Sequence, residues 1–369
     1  MCIFLFFYPF KPCASDPCLF SLKTPHGTII IGCYVDDLIV LHDNEKLFDQ
    51  FKGQFLNPAT GGFKGNHLGK LDYFLGIGVD IAADSISISQ RTYISNLVLR
   101  FCPTDTHYSH GTPCTPDGIK ALGNAADDVE RERVRKLPYL QLIGSLLYIS
   151  TMTRPDISFV MSKLCQYMAD PNMKCYEAAL NVLLYLDKTK DLSIRYSNGS
   201  SVFDGLRDEQ AAIDGNLGFV AYSDSSFGDA QPVYGYCCFM ANGPIAFCSK
   251  KLKSAQSSCE AEYAAAFFAA KEIAFIRNVL DELGFPCSGY TVLGCDNSAA
   301  IDVANDLGVS ARIKHFERAI HLVRDMVTDL KMKLVFVRTT NQLADIFTKP
   351  LGKTDFQRLR NRFLLLSGV

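Results

Sequence analysis

The 369 residues contain no tryptophan, no Cys-x-x-Cys pair and no apolar run long enough for a membrane helix. The opening MCIFLFFYPF is about half the ~20 residues a membrane span needs, and it lacks the basic start of a secretory signal. An intracellular place, cytoplasmic or nuclear, is expected, with no membrane partner. The 14 cysteines are spread from Cys2 to Cys295, and the adjacent Cys237 and Cys238 are poorly placed to bridge, so reduced thiols are expected rather than a disulfide framework. None of the 7 histidines sits near a cysteine pair, which removes structural zinc. A net charge of −2 supplies no global field toward nucleic acid, so any polyanion site must be local. Without low-complexity tracts or a repeat period of about 20 to 50 residues, disordered and solenoid classes also fall away.

What is present is a globular composition, 48% hydrophobic and 21% charged, with material for two or three cores. Residues 28–42, TIIIGCYVDDLIVLH, are two β-rich runs joined through Asp36 and Asp37, which predicts a hairpin with carboxylates at its tip. Strand patterns continue over 67–94 and turn helical through ISNLVLRF. The Pro- and Gly-rich stretch 103–130 is the expected main linker. Apolar spacings of three and four over 138–190, broken at Pro155 and Pro171, predict three helices. Beyond a polar segment at 191–216, strand GFVAYSD leads to a hairpin whose Asn242-Gly243 pair is the strongest turn signal in the chain. A helix over 257–283, strand TVLGCD, helices over 297–306 and 314–331, strand KLVFVRT and a short helix through NQLADIFT complete the order βββαβααβα.

Four acids stand where a strand ends or a helix begins: Asp224, Glu260, Asp296 and Asp345. If the strands bearing Asp224 and Asp296 are neighbours, their carboxylates converge at one sheet edge. Clustered acids repel one another and persist mainly when divalent cations neutralise them. Oxygen ligands suit Mg²⁺ or Mn²⁺, and two such ions ~4 Å apart can activate water and stabilise the leaving oxygen of a phosphodiester. Each acid also has an ordinary structural account. Asp224 and Asp296 suit strand-ending turns, Glu260 fits the capping box of SSCE, and Asp345 could complement a helix N-terminus. Asp36 and Asp37 could bind a metal, but their spacing alone favours a solvated turn.

The ordered motifs YVDDLIV, YFLGIGV, SQRTYI, LIGSLLYIS, TRPDISF and LLYLDKT, followed by YSDSSFGD, SKKLK, SSCEAEYAA, CDNSAAI, ARIKHF and NQLADIFTKPL, resemble the C-terminal part of copia-type LTR retrotransposon polyproteins. The resemblance runs from about Asp16 to Phe363, while MCIFLFFYPF matches nothing evident in that family. It implies an α+β and α/β multidomain fold: a partial reverse-transcriptase palm and helical thumb or connection, then a ribonuclease H-like mixed-sheet domain. The implied divisions are 1–115 for the truncated reverse transcriptase, 116–136 for a linker, 137–195 for a helical connection, 215–350 for the ribonuclease H-like domain and 351–369 for a tail.

In this likeness Asp36 and Asp37 belong to the metal-binding YxDD turn of a polymerase. A further catalytic Asp and most of the palm lie upstream of that turn in the family, so no DNA synthesis is expected from this chain alone. Asp224, Glu260, Asp296 and Asp345 match the ribonuclease H acids, implying two Mg²⁺ or Mn²⁺ ions and hydrolysis of the RNA strand of an RNA–DNA hybrid. Glu262 competes with Glu260, but the first Glu of EAEY is taken as the family match. Residues 311–362 carry 12 Lys and Arg against 5 Asp and Glu, a net of +7. Within that stretch Arg312, Lys314, His315 and Arg338 are the candidate nucleic-acid contacts, against an ordinary solvated helical face. Phe227 stands where the family has a common Trp, and the connection SSFGDAQPVYGY is shorter than usual, which puts substrate contacts there in question. A full-length polyprotein is a conceivable partner. The alternative from another class is a non-catalytic nucleic-acid-binding remnant of a decayed element.

Overall fold

The computed structural model describes residues 9–102, 111–198, 203, 205–215, 217–227, 232–253, 255–305 and 317–366. It divides into two compact units, residues 1–71 with 273–288, and 72–272 with 289–369.

In the first unit, strands β1 (Lys11–Pro12), β2 (Leu19–Thr24), β3 (Gly27–Tyr34) and β4 (Asp37–His42) form an antiparallel meander in chain order. Alternation puts Phe20 and Leu22 of β2 and Ile29 and Ile31 of β3 on one face. Helix Glu45–Phe55 covers that face with Phe48, Phe51 and Phe55, a spacing of three and four that makes one stripe. Asn44 starts this helix by accepting the Leu47 N–H at 3.0 Å. The β3–β4 connection is the expected hairpin, pairing Tyr34 with Asp37. Val35 takes a φ of 52°, and all four residues of the YVDD turn are exposed.

The second unit holds two five-stranded sheets. One is wholly antiparallel: β5 (Tyr73–Phe74), β6 (Ile77–Ile81), β7 (Ser85–Ser89), β8 (Leu192–Ser197) and β14 (Leu365–Leu366), in the order β14-β8-β7-β6-β5. Strands from three distant stretches of chain thus share one sheet, so that β5, β6 and β7 belong to one layer with β8 and β14. The three expected helices are Tyr139–Met152, Ser158–Leu164 and Met173–Lys188. Their apolar faces, including Leu142, Leu146, Ile149, Val182 and Leu186, enter one continuous core. Within it Arg154, almost fully buried, is held by Asp156 at 2.8 Å and by the Thr189 carbonyl at 3.1 Å, and Asp156 accepts the Tyr185 hydroxyl at 2.5 Å. The turn-rich stretch read as a linker carries two short helices, Pro116–Lys120 and Asp128–Arg135. Asp127 accepts the Glu130 N–H at 2.7 Å and starts the second of them.

The other sheet comprises β9 (Val220–Ser225), β10 (Val233–Met240), β11 (Gly243–Lys251), β12 (Thr291–Cys295) and β13 (Met332–Phe336), in the order β11-β10-β9-β12-β13. The first three strands pair antiparallel, while β12 runs parallel to both β9 and β13. With helices Ser258–Leu283, Ser298–Asn305 and Glu317–Thr328 the order is the expected βββαβααβ, closed by a 3-10 helix, Leu343–Phe347. The β10–β11 turn is centred one residue before the Asn-Gly signal. Ala241 and Asn242 take the positive φ values of 48° and 67°, and Gly243 opens β11 instead. A Cβ at Gly243 would meet the Tyr196 ring at 2.6 Å, so glycine is needed there for close approach rather than for the turn.

Candidate active site

Parallel pairing assembles the site. Val220, Ala221 and Tyr222 lie opposite Val292, Leu293 and Gly294, so the same offset brings Asp224 and Asp296 level at the carboxyl ends of neighbouring strands. The strand-end convergence expected from sequence is therefore met. Asp224 is 1% exposed, because β9 is the central strand and is buried along its whole length, while Asp296 at the rim is half-buried.

The third member of the cluster is Glu262, not Glu260. Asp224, Glu262 and Asp296 each present a carboxylate oxygen such that the three lie within 4.8 Å of one another. Residues two apart on a helix point about 200° away from each other, so only one of the two glutamates can face the sheet edge. Glu260 is consumed in starting the helix: its N–H donates to Ser257 Oγ at 3.2 Å and its carboxylate accepts the Gln256 N–H. That is the capping arrangement which SSCE suggested. Glu262 instead accepts the Ser225 N–H at 3.2 Å and the Ser225 hydroxyl at 2.8 Å through Oε1, which turns its carboxylate toward Asp224.

Asp345 approaches from the 3-10 helix. Gln342 pins that helix to β9, donating from Nε2 to the Ser223 carbonyl at 3.0 Å while Oε1 accepts the Ala344 N–H at 3.1 Å. Ser249 Oγ donates to the Phe347 carbonyl at 2.7 Å. Gly235, paired with Asp224 across β9 and β10, leaves the space this requires, since a Cβ there would lie 2.5 Å from Phe347 Cβ and 3.0 Å from Thr348 Cγ2. Thr348 then donates its hydroxyl to Asp224 Oδ2, and Lys349 reaches Asp345 Oδ1 at 2.8 Å and Asp224 Oδ2 at 3.5 Å. At the rim Thr339 donates to Asp296 Oδ2 at 3.0 Å.

Burial pushes the Asp224 carboxyl up to about 7, with Lys349 opposing and Asp345 adding to the rise. Burial likewise carries Glu262 up to about 8, with the Asp224 charge next and the Ser225 hydrogen bonds opposing. Asp345 is raised too, burial outweighing the hydrogen bond and charge of Lys349. Lys349 is raised against its own desolvation, because Asp224 and Asp345 favour the ammonium. Glu262 Oε2 is buried with no hydrogen-bond partner, and so is Ser223 Oγ on the preceding residue of β9. A buried carboxylate oxygen with no donor, on a side chain clustered with two further carboxylates, is costly by itself. It fits a hard divalent cation with oxygen ligands.

The other sequence candidates lie elsewhere. Asp36 and Asp37 sit at the exposed hairpin tip of the first unit, and among the described residues the only cluster fit for a metal is Asp224, Glu262 and Asp296. Arg338 is exposed just after β13, and Arg312, Lys314 and His315 fall outside the described residues. Phe227 is 49% exposed three residues beyond Asp224. Sequence reasoning missed Ser225, Gln342, Thr348 and Lys349. The four-residue step from Asp345 to Lys349 was the one available signal.

Residues 2–116 match the family model described as reverse transcriptase (RNA-dependent DNA polymerase), so the match begins inside MCIFLFFYPF, a segment that had looked unrelated. The retrovirus-related Pol polyprotein from transposon RE2 of Arabidopsis thaliana is 30% identical over 357 residues, and that from transposon RE1 of the same plant 29% identical over 353. Each alignment covers 94% of this chain and 22% of the polyprotein, so the chain spans under a quarter of the length of these relatives. Among solved structures, RNase H1 from the halophilic archaeon Halobacterium salinarum is similar at 18% identity and a TM-score of 0.28, covering 35% of this chain and 93% of that one. The chain is related to the C-terminal region of copia-type retrotransposon Pol polyproteins, joining a reverse-transcriptase segment to a ribonuclease H-like mixed sheet. Among the described residues no helix is long and apolar enough to cross a membrane.

Proposed function

We propose that the sheet edge around Asp224 is the active site of a ribonuclease acting on the RNA strand of RNA–DNA hybrids, with Asp224, Glu262, Asp296 and Asp345 as its acids. The observation that carries this reading is the convergence of three carboxylates within 4.8 Å, one of them ending in a buried oxygen without a partner. Two Mg²⁺ or Mn²⁺ ions bound there would supply a more acidic water and positive charge at the leaving oxygen. Asp224, the most buried of the four, would hold them together with Glu262, Asp296 and Asp345.

The chain's own residues do the orienting. Ser225 fixes the Glu262 carboxylate by two hydrogen bonds, Thr339 fixes Asp296 Oδ2, and Thr348 fixes Asp224 Oδ2. The fully buried strands β9 and β12 beneath them exclude water and strengthen every charge interaction at the edge. In the reaction the water oxygen bonds to phosphorus, the bond from phosphorus to the 3′ oxygen breaks, and a proton ends on that oxygen. The products are a 5′-phosphate and a 3′-hydroxyl.

The deciding experiment incubates the full chain and its Asp296→Asn variant with a labelled RNA–DNA hybrid, in Mg²⁺ and in chelator. RNA cleavage that needs the metal and is lost in the variant is expected. Equal inactivity of both folded proteins would overturn the enzymatic reading and leave a protein that at most binds nucleic acid.

A further inference from the structure

The two sides of Asp224 are not equivalent. Toward Glu262 and Asp296 no ion pair with a cation is found among the described residues, and Glu262 Oε2 meets no donor there. Toward Asp345 the gap is already filled, because the Lys349 ammonium lies 2.8 Å from Asp345 Oδ1 and 3.5 Å from Asp224 Oδ2. The backbone holds it there: the Lys349 N–H donates to the Asp345 carbonyl at 3.1 Å, Pro350 follows, and Gly235 lets the whole segment press onto the sheet. The side chain is nevertheless 36% exposed, so its flexible stem can withdraw toward solvent without unfolding anything.

Resting on the metal-binding reading of this site, we infer that Lys349 is a tethered counterion which competes with a divalent cation for the place between Asp224 and Asp345. An ammonium and a divalent ion cannot share two carboxylate oxygens at contact distance, because their mutual repulsion at a few ångströms is as strong as the attraction each enjoys. The three-carboxylate side then fills first, and the second ion enters only as Lys349 leaves. A substrate phosphate at the same edge offers the displaced ammonium another anion, for which lysine is well suited as a point charge. Lys349 is thus a positioning residue that sets the order in which the ions load, and hybrid binding favours the fully loaded state.

The test is Mn²⁺ uptake by the full-length chain, followed through the electron paramagnetic resonance signal of the free ion, for the unaltered protein and for Lys349→Met and Lys349→Arg. Methionine keeps an apolar stem and removes the charge, while arginine keeps the charge. One tight and one weak ion are expected for the unaltered protein and for Lys349→Arg. In Lys349→Met the second ion should tighten by at least about tenfold, considerably more than the first. A second ion equally weak with methionine or lysine at 349, beside a first that binds normally, would overturn the counterion role and leave the metal site standing. Absence of Mn²⁺ uptake in all three folded proteins would overturn both.

Discussion

Replacing Glu262 by Gln should stabilise the metal-free protein, by an amount that grows as the pH rises above about 4.5. Burial holds the Glu262 carboxyl at about 8, so between roughly pH 4.5 and 8 the folded chain keeps a proton that the unfolded chain has released. A folded state that binds more protons loses stability as pH rises. The contribution is therefore intact below about pH 4.5, is lost progressively as the pH rises to about 8, and changes no further above that. A shift of three to four pH units sets a ceiling of about 5 kcal/mol at ~1.4 kcal/mol per unit. Part of that ceiling is repulsion shared with Asp224, which is itself raised to about 7, and Asp296 and the buried Cys295 thiol face the same space. Lys349 and Asp345 lie on the far side of Asp224 and change less. About 3 kcal/mol is thus the expected gain, or a rise in Tm of about 5 °C for a unit of this size. The amide suits the site, because its oxygen keeps both Ser225 hydrogen bonds and its NH₂ can donate to Asp224. The assay is thermal unfolding followed by circular dichroism in chelator at pH 5 and pH 9. Gain at pH 9 with little difference at pH 5 is expected, and millimolar Mg²⁺ should raise the Tm of the unaltered protein but not of the variant. A variant that is less stable at pH 9, or equally stabilised at both pH values, would refute the burial of an uncompensated charge here.

Glu260→Gln should act differently, costing about 1 kcal/mol through the helix start while leaving Mn²⁺ uptake within about threefold of normal; tight-ion binding lost in this variant but retained in Glu262→Gln would reverse the assignment. Gly235→Ala drives a Cβ to 2.5 Å from Phe347, and overpacking of this kind costs about 1–3 kcal/mol. Denaturant unfolding should register that loss, and hybrid cleavage should fall because the displaced segment carries Asp345, Thr348 and Lys349. Arg154→Met leaves the Asp156 carboxylate buried without its cation and should cost about 3–5 kcal/mol in urea unfolding, most of it recovered in the double variant Arg154→Met, Asp156→Leu. Failure of the double variant to recover would place the importance of this pair in a role other than charge compensation.

Much of the mixed sheet was legible because its signals are local. The β9 and β12 strands are buried at every residue and carry the apolar runs VAY and VL, with Asp224 one residue before the end of β9 and Asp296 one residue past the end of β12. The hairpin was visible in NG, yet its turn settled on Ala241 and Asn242. Gly243 had a second demand on it, the ring of Tyr196, which comes from a strand some fifty residues earlier and is invisible to local reading. The same holds for the antiparallel sheet that gathers β5–β8 and β14. Its partners are far apart in sequence, so a reading in chain order assigns them to successive regions, although hydrogen bonding makes them one layer.

The confusion between Glu260 and Glu262 has a sharper cause. Only Glu260 satisfies a local rule in the sequence, and that rule marks a helix start rather than a place in the carboxylate cluster. The spacing from Ser257 to Glu260 marks a helix start, and the structure uses it as one, so the side chain that motif reading ranks first is already committed to Gln256. What distinguishes Glu262 is its partner, Ser225, on a strand 37 residues earlier, together with an oxygen left bare. A cap needs its carboxylate satisfied, whereas a metal ligand needs at least one lone pair unclaimed, and these are opposite requirements on one kind of side chain. Where two acids compete for one site, the acid whose hydrogen bonds leave an oxygen open is the better candidate, and satisfied geometry at the other argues against it rather than for it.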